Sequence, residues 1–168
     1  MDKWDKATRS RCMSRIRSSD TKPELIVRKY LYARGYRYRK NFKRLPGTPD
    51  IVLKKYGVAI FIHGCFWHGH DTHMRMPKSN VEFWEKKIDR NRQRDVRNKE
   101  ALKQLGWAVI TVWECQLAPA ERERTLLEIE HFINRSYLAR RDRKGMPRYM
   151  SYPEAPEGES SIAAEPEA

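Results

Sequence analysis

An α/β fold, an open mixed β-sheet flanked by helices, is predicted by three observations. Two apolar runs, Asp50-Ile51-Val52-Leu53 and Val58-Ala59-Ile60-Phe61-Ile62, flank a Lys-Lys-Tyr-Gly turn and predict an antiparallel hairpin. A third run, Trp107–Trp113, is separated from them by a long segment of helical period. Strand, helix, strand implies a crossover, and so a parallel neighbour for the central strand. With 168 residues the chain is long enough for one domain with a substantial core.

Three parts are expected: a basic N-terminal arm over 1–19, the folded domain over 20–144, and a disordered acidic tail over 145–168. In the arm, Lys3, Lys6, Arg9, Arg11, Arg15 and Arg17 surround Met13 and Ile16. Asp20-Thr21-Lys22-Pro23-Glu24 starts a helix: Thr21 with Glu24 fits a capping box, and proline suits a first turn. Val27, Tyr30 and Leu31 share one face, and Gly35 stops the helix. Tyr36 to Phe42 alternates aromatic and basic residues, as a half-buried strand does. Leu45-Pro46-Gly47-Thr48-Pro49 is a turn leading into the hairpin. Glu82 to Leu105 reads as one helix ended by Gly106, with an apolar stripe through Trp84, Ile88, Leu102 and Leu105. The same stripe carries Asn91, Asp95 and Asn98, with arginines 90, 92, 94 and 97 interleaved. Polar groups facing inward need hydrogen-bond partners, so this helix is expected to flank a phosphate-binding cleft. Glu121 to Tyr137 is the closing helix.

Composition narrows the function. The formal net charge is +13, and five glutamates follow the last basic residue, Arg148, so the positive excess is concentrated ahead of the tail. That favours a polyanionic partner, nucleic acid above all. No apolar run reaches the length of a membrane span and no signal core opens the chain. Three widely spaced cysteines, at 12, 65 and 115, argue against a disulfide framework and for metal ligation in a reducing cytoplasm.

The stretch Ile62-His63-Gly64-Cys65-Phe66-Trp67-His68-Gly69-His70-Asp71-Thr72-His73 carries the chemistry. Four of the five histidines fall within it, directly after a buried strand. Cys65, His70 and Cys115 are suitable zinc ligands, the first two at C-x4-H spacing. His73 is the best candidate for a fourth ligand, Asp71 is possible, and Thr72 is a poor one. The bland alternative is that both cysteines are buried small apolar groups. Asp50 heads one hairpin strand while Ile62 and His63 end the other. One carboxylate and one backbone carbonyl can hold Mg²⁺, which keeps several waters. That leaves His68 and His63 for proton transfer. Glu24 is either a helix cap or an acid that assists the site. Phe66, Trp67 and Trp84 can wedge between base pairs, although Trp84 also fits a core stripe.

Together these residues resemble the very short patch repair (Vsr) endonucleases. The resemblance rests on Asp5-Lys6-Ala7-Thr8-Arg9-Ser10, Leu45-Pro46-Gly47-Thr48-Pro49-Asp50, His63-Gly64-Cys65-Phe66-Trp67-His68 and Pro77-Lys78-Ser79. It continues through Phe83-Trp84, Asn91, Arg94-Asp95, Leu105-Gly106-Trp107 and Val112-Trp113-Glu114-Cys115, spanning roughly residues 5–135. It implies a core like that of the type II restriction endonucleases. It also implies Mg²⁺-dependent nicking of double-stranded DNA on the 5′ side of the thymine in a T:G mismatch, the lesion left when 5-methylcytosine deaminates. In that pattern Asp50 and the Ile62 carbonyl hold Mg²⁺, His68 is the general base and His63 assists. Glu24 and Asp95 are supporting acids, and structural Zn²⁺ stiffens the loop. Phe66, Trp67 and Trp84 form the wedge, while Met13 and Ile16 grip from the other groove. A bacterial, nucleoid-associated monomer is expected.

Two departures stand out. The family usually has a cysteine where this chain has Thr72, followed by His73. The wider nuclease superfamily carries an acid and a lysine on the second strand, and Ile60-Phe61-Ile62-His63 has neither. Two other readings remain at this point: a related nuclease with another DNA target, and a zinc-stabilised DNA-binding protein without catalysis.

Overall fold

A computed structural model describes Thr8, Arg11 and residues 19–143. Most of the basic arm, with Met13 and Ile16, and the acidic tail lie outside the described residues. The domain runs α1 (Lys22–Ala33), β1 (Arg39–Lys40), β2 (Ile51–Leu53), β3 (Val58–His63), α2 (Val81–Gln104), β4 (Ala108–Trp113), a 3₁₀ turn (Glu114–Leu117) and α3 (Arg122–Arg143). The four strands form one sheet in chain order. β1 and β2 pair antiparallel, as do β2 and β3, while β3 and β4 run parallel across the α2 crossover. The expected open mixed sheet flanked by helices is therefore present.

Strand alternation separates two cores. Ile51, Leu53, Val58, Ile60 and Val112 pack on one face against Val27 and Leu31 of α1 and Leu126, Ile129 and Ile133 of α3. Ala59, Phe61 and Val109 face the other way, toward Leu102 of α2 and Leu45. Successive side chains on a strand point to opposite faces, so Ala59 and Phe61 put His63 on the α2 side as well. The chemistry of β3 is aimed at α2 by period alone.

Two expectations change. The strand foreseen over Tyr36 to Phe42 contracts to Arg39–Lys40. Tyr36 turns into the core instead and its hydroxyl reaches Asn134 of α3 at 3.0 Å. Asn41, at φ +46°, interrupts the extended conformation after Lys40, although the Asn41 and Phe42 N–H groups still reach the Asp50 and Pro49 carbonyls at 3.1 and 3.2 Å. Leu105 is not in the apolar stripe that faces the sheet: it caps α2 and is 61% exposed. α3 runs to Arg143, six residues beyond the expected Tyr137, while the other elements stand close to their expected bounds, with Gly35 and Gly106 in the left-handed conformation that ends α1 and α2.

Core position therefore separates two leucines of equal size. Leu31→Ala is expected to lower unfolding stability by about 3 kcal/mol, the usual loss for a buried leucine, and Leu105→Ala by less than about 0.5 kcal/mol. Denaturant unfolding of the two variants measures the contrast.

Candidate active site and metal cluster

A cleft of about 1070 Å³ opens between the N-terminal end of α1, the Leu45–Pro49 turn, the end of β3 and α2. Asp50, Ile62, His63, Trp67, His68 and Asp95 all line it. The two groups whose separation would have removed any hydrolytic chemistry, Asp50 and His68, thus face one space.

Asp50 is placed by the hairpin. Ile51 pairs with Ile60, which sets the Asp50 carboxylate beside Ile62, and its Oδ2 accepts the Ile62 N–H at 2.7 Å. In an extended strand, the N–H and C=O of one residue point to the same side. The Ile62 carbonyl is therefore directed to the side of Asp50. Burial pushes the Asp50 carboxyl up to about 6, and the nearby Glu24 charge adds to this. The Ile62 hydrogen bond and the charges of Arg28 and His68 oppose the shift without cancelling it. A carboxylate desolvated in this way is suited to a hard cation.

Glu24 performs the capping its sequence suggests and more. Its carboxylate accepts from the Thr21 hydroxyl at 2.8 Å, from the Asp20 N–H at 3.1 Å and from Arg28 at 2.6 Å. Arg28 is buried, also pairs with Asp20, and reaches the Asp50 carbonyl at 3.4 Å. Glu24 thus ties the start of α1 to the strand bearing Asp50, with its oxygens already occupied.

The histidine pair sits opposite. The His63 and His68 rings stack, with centroids 3.7 Å apart and 12° between planes. His68 Nδ1 lies 2.5 Å from Asp95 Oδ2, and His63 Nδ1 lies 4.0 Å from the same oxygen. In neutral His68 that bond puts the proton on Nδ1 and leaves Nε2 as the basic nitrogen. Burial, helped by His68 alongside, holds His63 down at about 3, so its ring is neutral at working pH. Burial acts to raise Asp95, but the hydrogen bond and charge of His68 outweigh it and keep the carboxyl below its usual range. These are the requirements for an imidazole base oriented by a carboxylate.

α2 holds the loop that brings His68 back over His63. Asn91 donates to the Trp67 carbonyl at 2.9 Å, and Arg92 binds the Gly69 carbonyl and, at 2.6 Å, Asp71. Asn91 of the inward polar stripe is thereby satisfied by the loop, as Asp95 is by His68. Gly69 is at φ +64°, and a Cβ there would meet Ile88 Cγ2 at 2.6 Å, so only glycine lets the loop lie this close to α2. Asn91 and Arg92 were legible as polar helix residues but not as the fastening of this loop.

Beyond the cleft, Cys65, His70 and Cys115 bring one ligand atom each to within 4.8 Å of the others. Cys115 Sγ is 3.6 Å from His70 Nδ1. Burial and the neighbouring Cys65 push the Cys115 thiol up. The donor set fits Zn²⁺. His73 does not join this cluster, but its Nδ1 is 3.3 Å from His70 Nδ1 and its ring stacks on His70. Thr72 bonds His73 at 2.9 Å, and Asp71 is turned to Arg92.

Phe66, Trp67 and Trp84 form a half-buried aromatic cluster, with ring centroids 5.1–6.0 Å apart. Trp84 belongs to neither core cluster. Two neighbours join them: Phe83, singled out in the sequence only within the Phe83-Trp84 match and 58% exposed against Trp84, and Lys87, which went unnoticed and whose ammonium lies over Trp67, Phe83 and Trp84. The position of Lys87 three after Trp84 on a helix was the available signal.

A desolvated acid facing an oriented imidazole, within a basic protein, suits hydrolysis of a phosphodiester. The class this defines is a DNA endonuclease, a hydrolase. Comparison with known proteins narrows it. A family model described as DNA mismatch endonuclease Vsr matches residues 1–74. The type II nicking enzyme V.NmeAIP of Neisseria meningitidis is 51% identical over 117 residues, covering 69% of this chain and 84% of the relative. The DNA mismatch endonuclease Vsr of Escherichia coli K12 is 43% identical over 122 residues, covering 72% and 78%. The type II nicking enzyme V.NaeI of Lentzea aerocolonigenes is 43% identical over 138 residues, covering 77% and 83%. The chain belongs to the Vsr family of DNA endonucleases. No helix among the described residues is long and apolar enough to cross a membrane.

The raised Asp50 carboxyl has a stability consequence. Its proton is held more tightly folded than unfolded, so the metal-free protein loses stability as pH rises from about 4 to about 6, and the loss is complete above 6. Asp50→Asn is therefore expected to stabilise the metal-free protein by about 2 kcal/mol at pH 7.5, with no gain near pH 3.5. Denaturant unfolding of both proteins at the two pH values checks the sign.

Proposed function

We propose that the protein nicks double-stranded DNA on the 5′ side of the thymine in a T:G mismatch, by Mg²⁺-dependent phosphodiester hydrolysis. The observation that carries this reading is that Asp50 and the His68–Asp95 pair line one cleft, with the aromatic cluster built from Phe66 and Trp67 of the His68 loop and Trp84 of α2. In this reading Asp50 and the Ile62 carbonyl hold Mg²⁺, which when bound supplies positive charge and an ordered water beside the scissile phosphate. His68 Nε2 takes the proton of the attacking water, and Asp95 fixes its tautomer and balances the imidazolium that forms. Neutral His63 stacks on His68 and limits its rotation. Glu24 acts through Arg28, setting the position of Asp50 rather than transferring a proton.

Mismatch choice is assigned to Phe66, Trp67 and Trp84. Inserting them unstacks a base step at a cost of a few kcal/mol, and a mispair opens at less cost than a matched pair. Lys87 over the rings adds a charge next to the DNA backbone. Met13 and Ile16 of the arm would grip the opposite groove; they lie outside the described residues. Zn²⁺ on Cys65, His70 and Cys115, with His73 as fourth ligand, would clamp the loop to the end of β4. The protein would act as a monomer on duplex DNA.

A nicking assay on matched duplex and on duplexes with each mismatch, with and without Mg²⁺, tests the reading. Nicking confined to T:G duplex supports it. Equal cutting of all duplexes would point to another DNA target, and binding without cutting to a non-catalytic role. Asp50→Ala is expected to reduce nicking at least about 10³-fold while DNA affinity changes by less than about threefold, because metal ligation and DNA grip use different residues. A variant that nicks at the parent rate removes Asp50 from the mechanism.

Cys115→Ala is expected to release zinc and destabilise the fold, since structural zinc contributes folding free energy directly. His73→Ala is expected to weaken zinc retention without abolishing it. Metal analysis after dialysis against a chelator reads both variants.

A further inference from the structure

The cleft carries more negative than positive charge before any substrate enters. Asp20, Glu24, Asp50, Asp95 and Glu114 line it, against two permanent cations, Lys22 and Arg94. Of the acids, Asp20 and Glu24 are paired with Arg28, and Asp95 with His68. His63 is neutral. A phosphodiester adds one charge, and the transition state of its hydrolysis concentrates further negative charge on the non-bridging oxygens. Arg94 is the only arginine among the described residues that lines this cleft.

Its place on α2 accounts for this. Residues three and four apart share a helix face, so Arg94 sits between Asn91 and Asn98 on the polar stripe. Asn91 holds the Trp67 carbonyl and Asn98 packs under Gly47, at the two lips of the cleft. Arg92, by contrast, is engaged with Gly69 and Asp71. Arg94 is exposed and makes no ion pair with any described acid. Its charge nevertheless reaches both His63 and Asp95.

We propose that Arg94 is a further catalytic residue: its guanidinium takes two non-bridging oxygens of the scissile phosphate and stabilises the charge that builds there in the transition state. This rests on the nuclease reading above. The water oxygen bonds to phosphorus as the bond from phosphorus to the deoxyribose oxygen breaks. The proton of the water goes to His68, and the departing oxygen takes a proton from solvent. Arg94 transfers nothing; the planar fork of its N–H donors matches two phosphate oxygens, which a lysine ammonium cannot do.

The test uses the full chain with Mg²⁺, on whichever duplex the parent nicks, in single turnover at saturating enzyme. Arg94→Gln is expected to slow nicking about 10²–10³-fold, the usual loss of one oxyanion donor, while Kd rises only a few-fold. Arg94→Lys recovers part of the rate. Arg90→Gln removes the same charge one turn away on the same helix, outside the cleft lining, and is expected to leave the saturated rate unchanged. Added guanidinium ion is expected to restore Arg94→Ala in part, which a misfolded variant would not permit. The proposal is overturned if Arg94→Gln matches Arg90→Gln, with weaker binding but an unchanged saturated rate, or if Arg94→Ala is slow and guanidinium restores nothing. A parent that nicks no duplex defeats the nuclease reading itself, and the Arg94 role with it.

Discussion

The contact between His68 and Asp95 is the constraint on which the site depends. It joins a loop of turns to a long helix, and each end fixes the other. Without it, His68 would sit on a glycine-flanked loop with free rotation. With it, one ring nitrogen is committed to a carboxylate and the other is left for chemistry. The rest of α2 extends the same device: Asn91 and Arg92 anchor the loop carbonyls, and Gly69 permits the close approach. The polar stripe that looks out of place on an amphipathic helix is therefore a row of fasteners.

The two halves of the cleft are set by different physics. On the Asp50 side the hairpin register delivers the carboxylate, and the Glu24–Arg28 pair locks the start of α1 against that strand. On the histidine side strand period aims His63 at α2, and stacking brings His68 over it. Burial acts oppositely on the two sides: it favours the protonated carboxyl of Asp50 and the neutral ring of His63. Both effects keep the two buried groups uncharged in the metal-free cleft.

The Cys65–His70–Cys115 cluster lies behind this arrangement, at the foot of the same loop and the end of β4. A metal there would hold the loop at its far side while α2 holds it at the near side. Phe66 and Trp67 belong to the segment between those two supports and pack on Trp84 of α2. His68 and the aromatic pair Phe66 and Trp67 are then carried by one loop.

Much of this was legible in the sequence, because it depends on short-range rules. Capping chemistry marked α1, period 2 and period 3.6 marked the hairpin and the crossover helix, and histidine density marked the loop. Asp50, His63, His68 and the Cys/His spacing could be read as chemistry because few other side chains can do it. The pairings that turn those residues into a site were not legible, since they join positions far apart in the chain. Asp95 with His68, Asn91 and Arg92 with the loop carbonyls, and Arg28 with the Asp50 carbonyl depend on where α2 and α1 pack. Tyr36 likewise left its expected strand because a partner on α3 was within reach of its hydroxyl. Local sequence determined the elements and the reactive groups. Only tertiary packing, through burial and contacts between distant segments, decided which groups meet and which charge state each one holds.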